Sequence, residues 1–159
     1  MAEPDSLLPV SSVPGLVPTL NQTGWMTEGL DRVSQAFVDY AGHGSGEVLD
    51  MGCAYGVATL PALARGARVL ACDMEPRHLE ILRQRVPEAD RGRLRTQPGT
   101  MPAVDFPADS FDAILCARAL HFLRGGDLGL TVLRMHAWLK PGGRLFLVAD
   151  SPYTGPWWP

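Results

Sequence analysis

Two acidic side chains, each directly after an apolar run, are the residues of this chain best placed to bind a nucleoside. Asp50 follows Val48-Leu49, and Asp73 follows the apolar run at 67–72. An acid at a strand end about 20 residues past a glycine turn can accept hydrogen bonds from ribose hydroxyls. Glu75 is the rival acid, but Asp73 is preferred because it lies directly at the predicted strand terminus.

A turn with small residues at 52, 54 and 56 follows Asp50. Gly52 and Gly56 have no Cβ, so the backbone can bend sharply and approach a ligand closely. Free N–H groups at the start of the next helix are expected to point at that ligand. A dinucleotide motif needs a third glycine where this chain has Val57. The Asp50 charge would also oppose a phosphate and would suit a cationic group.

The elements that must position these residues alternate between strands and helices. Periodicity and turn residues predict this alternation along most of the chain. The predicted helices cover 27–41, 57–64, 76–86 and 127–139, and the predicted strands cover 48–50, 67–72, 94–97, 111–116 and 145–148. Such a pattern favours a parallel sheet, and the carboxyl ends of its strands would gather Asp50, Asp73, Thr100 and the segment 116–118 at one edge.

Four stretches in order resemble the class I S-adenosylmethionine-dependent methyltransferases, with a type 11/25-like core. Residues 50–56 are similar to motif I of that family, Asp/Glu-x-Gly-x-Gly-x-Gly, with Ala54 at the middle glycine. The segment 106–116 resembles the lead-in and fourth strand, and 119–123 resembles the apolar segment with a histidine. The stretch 139–148 contains the Leu-Lys-Pro-Gly-Gly turn and the fifth strand.

The resemblance implies an α/β fold with a doubly wound, mostly parallel Rossmann-like sheet in three α/β/α layers. Only five of the family's seven strands fit before residue 151, so the fold is expected to be truncated after the fifth strand. The expected domains are a flexible N-terminal arm at 1–24, a cofactor-binding core at 25–150 and a C-terminal tail at 151–159. The arm's apolar residues leave open that it lies across the site or a partner.

S-adenosylmethionine is the cofactor that the resemblance implies. The expected cofactor-binding residues are Asp50, Gly52, Cys53, Ala54, Gly56, Asp73, Met74, Thr100, Met101 and Ala117. Met74 is expected against the adenine, and Thr100 replaces the usual aspartate that contacts the adenine amino group. Ala54 is a small departure if its φ stays negative. Gln22, Trp25 and Met26 are candidates for the methionine end of the cofactor.

The implied activity is methyl transfer to a small-molecule acceptor. His121 is a candidate general base, although a half-buried histidine outside the chemistry is favoured; Tyr55, Tyr153 and Asp150 are weaker candidates. An alternative is an S-adenosylmethionine-binding domain that is inactive alone or needs a partner or a missing C-terminal region. A nicotinamide-dependent oxidoreductase is disfavoured by Val57 and Asp50.

Composition narrows the classes of protein that remain possible. The chain has 159 residues, of which 46% are hydrophobic and 19% charged, which is typical of one folded domain. A net charge of −3 gives no sign of nucleic-acid binding. No apolar run is long enough to cross a membrane. Three cysteines and four histidines show no metal-ligand spacing, which fits a reducing cytoplasm.

The apolar fifth strand is a possible association surface. If residues 145–148 form an uncovered sheet edge, they present unpaired N–H and C=O groups to another chain. We therefore expect either a homo-oligomer formed through this edge or a piece of a longer chain.

Overall fold

A computed structural model of the protein describes residues 7–150. The strands are β1 (Leu16–Pro18), β2 (Trp25–Thr27), β3 (Glu47–Met51), β4 (Arg68–Asp73), β5 (Leu94–Pro98), β6 (Phe111–Ala117) and β7 (Leu139–Val148). The helices are α1 (Arg32–His43), α2 (Thr59–Ala64), α3 (Pro76–Arg85) and α4 (Gly125–Trp138), with short 3-10 helices at Glu88–Arg93 and Leu120–Phe122. The predicted C-terminal tail, with Tyr153, lies outside the described residues.

Five strands form a parallel sheet in the order β5-β4-β3-β6-β7. The chain runs outward from β3 through β4 to β5, and then returns to the other side of β3 for β6 and β7. The strand order therefore reverses between β3 and β6, which is where doubly wound folds bind their ligands. Asp50 lies at this point, with Ala71 of β4 and Leu115 of β6 as its register partners.

The central strands are buried on both faces, which is why they read as continuous apolar runs. Successive side chains point to opposite faces, so Val48 packs with α1, α2 and α3, whereas Leu49 packs with α4. Val104 and Phe106 complete the cover on the α4 face. The predicted three-layer, doubly wound α/β fold is confirmed.

The predicted start of α1 at Thr27 is wrong. Thr27 belongs to β2, and the helix begins at Arg32 with Asp31 as its N-cap. The Asp31 carboxylate accepts hydrogen bonds from the N–H groups of Val33 and Ser34, at 2.9 Å each. An aspartate so placed satisfies two N–H groups that the helix itself leaves unpaired.

The prediction for α4 also needs correction. The helix begins at Gly125 after Arg124, so Asp127 lies in its first turn and is not its cap. Its buried residues are Thr131, Met135 and Trp138, whereas Leu128 is exposed. The Trp138 ring packs edge-on against Phe106, and its indole N–H donates to Asp105. These contacts fix which face of the helix meets the sheet.

The segment Leu16–Thr27 forms a two-stranded antiparallel hairpin, β1–β2, which we call the N-terminal hairpin. Periodicity predicts no regular structure there. Val17 and Met26 are buried and pack with Ala54 and Tyr55, in a cluster separate from the two sheet faces. Contacts with distant residues therefore order this part of the N-terminal region.

Strand β7 is at the edge of the sheet, and within residues 7–150 its only strand partner is β6. Leu147 on this strand is 39% exposed. Association through this edge remains a prediction. No helix in the same range is long and apolar enough to cross a lipid bilayer.

Candidate functional site

A cavity of about 1310 Å³ lies between the carboxyl ends of the strands and the N-terminal hairpin. We call the part near Asp50, Asp73 and Thr100 the β3–β5 end, and the part near Arg118 and Phe122 the β6–β7 end. Nine of the ten predicted cofactor-binding residues line the cavity: Asp50, Gly52, Cys53, Ala54, Asp73, Met74, Thr100, Met101 and Ala117. The fold therefore brings together residues that are far apart in the sequence, whereas their role in binding stays a prediction.

Gly56, the tenth, is not among the residues that line the cavity. Its φ of +89° is in the region that favours glycine, and a Cβ at this position would overlap the Leu82 side chain of α3. Gly56 therefore serves the packing of the turn against α3.

Asp50 is a buried carboxylate, 3% exposed, at the cavity wall. Burial raises its pKa to about 6, the hydrogen bond from the Thr59 hydroxyl opposes this shift, and the negative charge of Asp73 adds to it. The Thr59 Oγ1 donates to Asp50 Oδ2 at 2.6 Å. A cation in the cavity would favour the ionised form of Asp50, whereas an anion would oppose it.

The N–H groups of the turn after Asp50 are largely used within the chain. Those of Gly52 and Cys53 donate to the carbonyl of Cys72 at the end of β4, at 2.8 and 3.1 Å. The N–H of Gly56 donates to the Cys53 carbonyl. These three N–H groups of the turn are therefore not available to a ligand, whereas the prediction for the N–H groups at the start of the next helix stays a prediction. With its donors so occupied, this turn is poorly suited to hold a pyrophosphate.

Ala54 has a φ of +45°, so the condition under which it would be a small departure from the motif is not met. A residue with a Cβ in this left-handed region carries strain of roughly 1–2 kcal/mol. In this conformation the Ala54 N–H donates a hydrogen bond to Asp73 Oδ2 at 2.8 Å. The middle position of the motif thus has the backbone that a glycine would adopt without strain.

Asp73 is held by three donors of the chain. Besides Ala54, the Glu75 N–H lies 2.9 Å from Oδ1 and the His78 Nδ1 lies 3.0 Å from the same oxygen. A carboxylate has about four acceptor sites, so roughly one remains for a ligand. We therefore expect Asp73 to accept from one ribose hydroxyl and not from both.

The rival acid, Glu75, has a structural role. It caps α3 through the Arg77 N–H and forms an ion pair with the Arg77 guanidinium at 2.9 Å, which lowers the pKa of Glu75 to about 2. It is not among the residues that line the cavity. Met74, in contrast, is 53% exposed and lines it, as do Thr100 and Met101.

Arg118, which the sequence does not single out, organises the β6–β7 end. Its guanidinium donates to Asp31 Oδ2 at 2.8 Å and lies 3.8 Å from Asp150. The backbone N–H of Arg118 donates to the Val148 carbonyl at 2.7 Å, and the φ of Arg118 is +55°. Arg118 therefore joins the start of α1 to the ends of β6 and β7. No local pattern marks an arginine as the residue that joins three distant elements.

The candidate bases differ in their surroundings. His121 is exposed, lines the cavity and lies against the Phe122 ring, with centroids 4.2 Å apart. The Tyr55 hydroxyl donates to the Pro18 carbonyl at 2.8 Å, and burial raises the pKa of Tyr55 to about 12. Tyr55 is therefore a structural residue. Asp150 lines the cavity beside Arg118.

These features define a class of protein: a doubly wound α/β domain with a ligand-sized cavity at the carboxyl ends of its strands, where a buried carboxylate suits a cationic group. The match to a family model then identifies the family. Residues 48–143 match the methyltransferase domain family, and the chain belongs to it.

Curated relatives cover the same region. A demethylmenaquinone methyltransferase of Tropheryma whipplei is 37% identical over 108 residues, which are 66% of this chain and 42% of the relative. A magnesium-protoporphyrin O-methyltransferase of Rhodobacter capsulatus is 33% identical over 82 residues, which are 52% of this chain and 36% of the relative. The chain thus spans less than half the length of these relatives.

Solved structures share the fold. The glycopeptide N-methyltransferase MtfA superposes with a TM-score of 0.64 at 25% identity, covering 72% of this chain and 50% of that protein. An S-adenosylmethionine-dependent methyltransferase from Mesorhizobium loti gives a TM-score of 0.64 at 24% identity, covering 76% and 55%.

Proposed function

We propose that this protein is an S-adenosylmethionine-dependent methyltransferase that acts on a small-molecule acceptor. The observation that carries the proposal is the buried Asp50 carboxylate at the cavity wall, beside a turn whose N–H groups are used within the chain. That arrangement favours a cationic nucleoside over a diphosphate. Membership of the methyltransferase domain family supports the same conclusion.

The residues at the β3–β5 end would bind and orient this cofactor. Asp50 would attract the positive charge of its methionine part, and the remaining acceptor site of Asp73 would take one ribose hydroxyl. Met74 and Met101 would pack against the adenine. When bound, the cofactor supplies an activated methyl group that leaves a neutral thioether. Orientation of two reactants alone can provide effective molarities of about 10⁵–10⁸ M, so positioning is the main task of the protein.

The acceptor would bind at the β6–β7 end, where apolar side chains lie beside Arg118 and His121 on the cavity wall. Trp25 of the N-terminal hairpin, Phe122 and Leu123 line the cavity there. Two relatives are named for demethylmenaquinone and magnesium-protoporphyrin, which are small molecules with flat rings. His121 is available as a general base for an acceptor that must lose a proton on attack.

The second candidate is a cofactor-binding domain that is inactive alone. It is favoured by the coverage of less than half of the relatives' length and by the edge position of β7. A second copy or another segment could cover that edge. A cytoplasmic location is part of the proposal, because Cys53, Cys72 and Cys116 are buried thiols without disulfide partners.

Calorimetric titration of the 159-residue chain with S-adenosylhomocysteine and with NAD tests the cofactor. We expect saturable binding of S-adenosylhomocysteine and no heat from NAD. Binding of NAD alone would contradict the proposal. Incubation of cell extract with methyl-labelled S-adenosylmethionine and the protein then tests catalysis. Label in an organic-soluble compound supports the enzyme, whereas cofactor binding without any transfer supports the inactive domain.

A further inference from the structure

His78, in the first turns of α3, is a buried histidine whose two ring nitrogens both have partners. Its Nε2 lies 2.9 Å from the backbone N–H of Leu20, and its Nδ1 lies 3.0 Å from Asp73 Oδ1. The Leu20 N–H can only donate, so Nε2 must be the acceptor and Nδ1 carries the proton that is donated to Asp73. The partners thus define one neutral tautomer. His78 connects the N-terminal hairpin to the carboxylate predicted to bind the ribose.

The same part of the hairpin has further contacts with the β3–β5 end. The Tyr55 hydroxyl donates to the Pro18 carbonyl at 2.8 Å, and the Arg77 guanidinium donates to the Leu20 carbonyl at 3.2 Å. The Tyr55 ring packs edge-on against the His78 ring, with centroids 4.7 Å apart. Residues 18–20 are therefore attached to the side of the cavity where the cofactor is proposed to bind.

The far part of the hairpin reaches the other end of the cavity. A Cβ built on Gly24 would lie 3.3 Å from the Phe122 ring, so the backbone of the hairpin is in close contact with this side chain. Gln22, Trp25 and Met26 of the same hairpin also line the cavity. The hairpin therefore crosses the cavity from the proposed cofactor end to the proposed acceptor end.

We propose that His78 is a positioning residue that couples docking of the N-terminal hairpin to cofactor binding through Asp73. The inference rests on the proposed function, because it takes Asp73 as a cofactor ligand. A ribose hydroxyl on Asp73 adds to the chain donors that hold the carboxylate in the orientation that accepts the hydrogen bond from His78 Nδ1. The ring then presents Nε2 to Leu20, and the hairpin closes over the cofactor. In return, a docked hairpin holds the ring and the carboxylate in place for the next cofactor molecule.

Hydrogen exchange at Leu20, with and without S-adenosylhomocysteine, tests this coupling in the 159-residue chain. The variant His78→Asn can still donate to Asp73 near the Nδ1 position but has no acceptor for Leu20. We expect S-adenosylhomocysteine to slow backbone amide exchange at residues 16–27 of the wild type. In the His78→Asn variant, exchange at these residues should stay fast when the ligand is added. The affinity of the variant should fall roughly tenfold, the effect of losing one hydrogen bond in a charged network.

Two further variants keep the test decisive. His136→Asn makes the same change at an exposed site on α4, and we expect it to behave as wild type. His78→Gln retains an acceptor near Nε2 but loses the donor to Asp73, so exchange at Leu20 should be the same with and without the ligand. It replaces His78→Asn if that variant fails to fold by circular dichroism.

Two negative results have different meanings. If S-adenosylhomocysteine binds and protects the hairpin equally in wild type and in the His78 variants, the coupling is refuted and the proposed function stands. If it binds to none of the proteins, the proposed function fails, and this inference fails with it.

Discussion

The two ends of the cavity are built in opposite ways. At the β3–β5 end the acids Asp50 and Asp73 are 3% and 6% exposed, and hydrogen bonds from the chain hold each of them. At the β6–β7 end His121 is exposed and Phe122 is 57% exposed, on a short 3-10 helix between β6 and α4. Under the proposed function, the first end is preorganised for the cofactor, whereas the exposed side chains of the second end leave room for ligands of different shapes. The difference matches a shared cofactor and an acceptor that varies between enzymes.

The largest effect is expected from Asp50→Asn, which removes the charge but keeps the shape and the acceptor for Thr59. Affinity for S-adenosylhomocysteine should fall by at least about 100-fold, because a buried charge interaction is lost. At pH 8 the unliganded variant should be as stable as wild type or more stable by about 1–3 kcal/mol, since the desolvated charge is absent. Calorimetry and urea unfolding measure the two effects.

Asp112→Asn is the matched control for this change. Asp112 pairs with Lys140 at 2.8 Å and is not among the residues that line the cavity. Its affinity for S-adenosylhomocysteine should equal that of wild type. Equal loss of affinity in both variants would show that Asp50 has no special role at the β3–β5 end.

The pH dependence of binding should follow Asp50. Its pKa is raised to about 6 in the free protein, and a bound cation lowers it again, so binding below pH 6 releases a proton. Affinity should therefore rise with pH, by up to about tenfold per unit, and level off above pH 6. Calorimetric titrations with S-adenosylhomocysteine at pH 5.5, in two buffers of different ionisation enthalpy, measure the released proton. Uptake of a proton would contradict the assignment.

The free energy of unfolding of the unliganded protein should fall as the pH rises, whereas the affinity for the ligand rises. The folded pKa of Asp50 lies above its unfolded value of about 3.9. The contribution of this group is fully present below pH 4 and is lost as the pH rises through about 6. Comparing urea unfolding of wild type and Asp50→Asn between pH 4 and 7 isolates this contribution. An identical pH profile for the two proteins would exclude it.

Phe122→Ala should separate the two ends of the cavity. Because the side chain is more than half exposed, the free energy of unfolding should change by less than about 0.5 kcal/mol. Affinity for S-adenosylhomocysteine should stay within twofold of wild type, while label transfer to the acceptor should fall several-fold. A loss of cofactor affinity equal to the loss of transfer would contradict a division of the cavity into two functions.

The smallest effect is expected from Ala54→Gly. The φ of +45° strains an alanine by roughly 1–2 kcal/mol, and glycine removes this strain but adds freedom to the unfolded chain. The net gain in stability should be about 0.5 kcal/mol, with unchanged affinity for S-adenosylhomocysteine. Thermal unfolding measures the gain. Lower stability in this variant would show that Ala54 is not strained in the folded protein.

The sequence predicted the β3–β5 end better than the β6–β7 end. Asp50 and Asp73 terminate apolar strands, and a parallel sheet must bring such ends to one edge. The segment 116–118 was placed at this edge, but the contacts of Arg118 with Asp31 and of His78 with Leu20 were not predicted, because these pairs are 87 and 58 residues apart in the chain. The helix starts were misplaced because Thr27 and Asp127 are typical capping residues, whereas α1 is capped by the later Asp31 and α4 begins after Arg124 without a side-chain cap.

The sequence by itself determined the alternation of the five sheet strands with the helices and the acids at the strand ends, because local periodicity encodes them, and the family resemblance implied the doubly wound order. Only the tertiary structure decided that Ala54 is left-handed, that the turn's N–H groups are bonded within the chain, and that the N-terminal hairpin crosses the cavity. These features depend on hydrogen bonds and packing between residues far apart in the chain, which leave no periodic pattern.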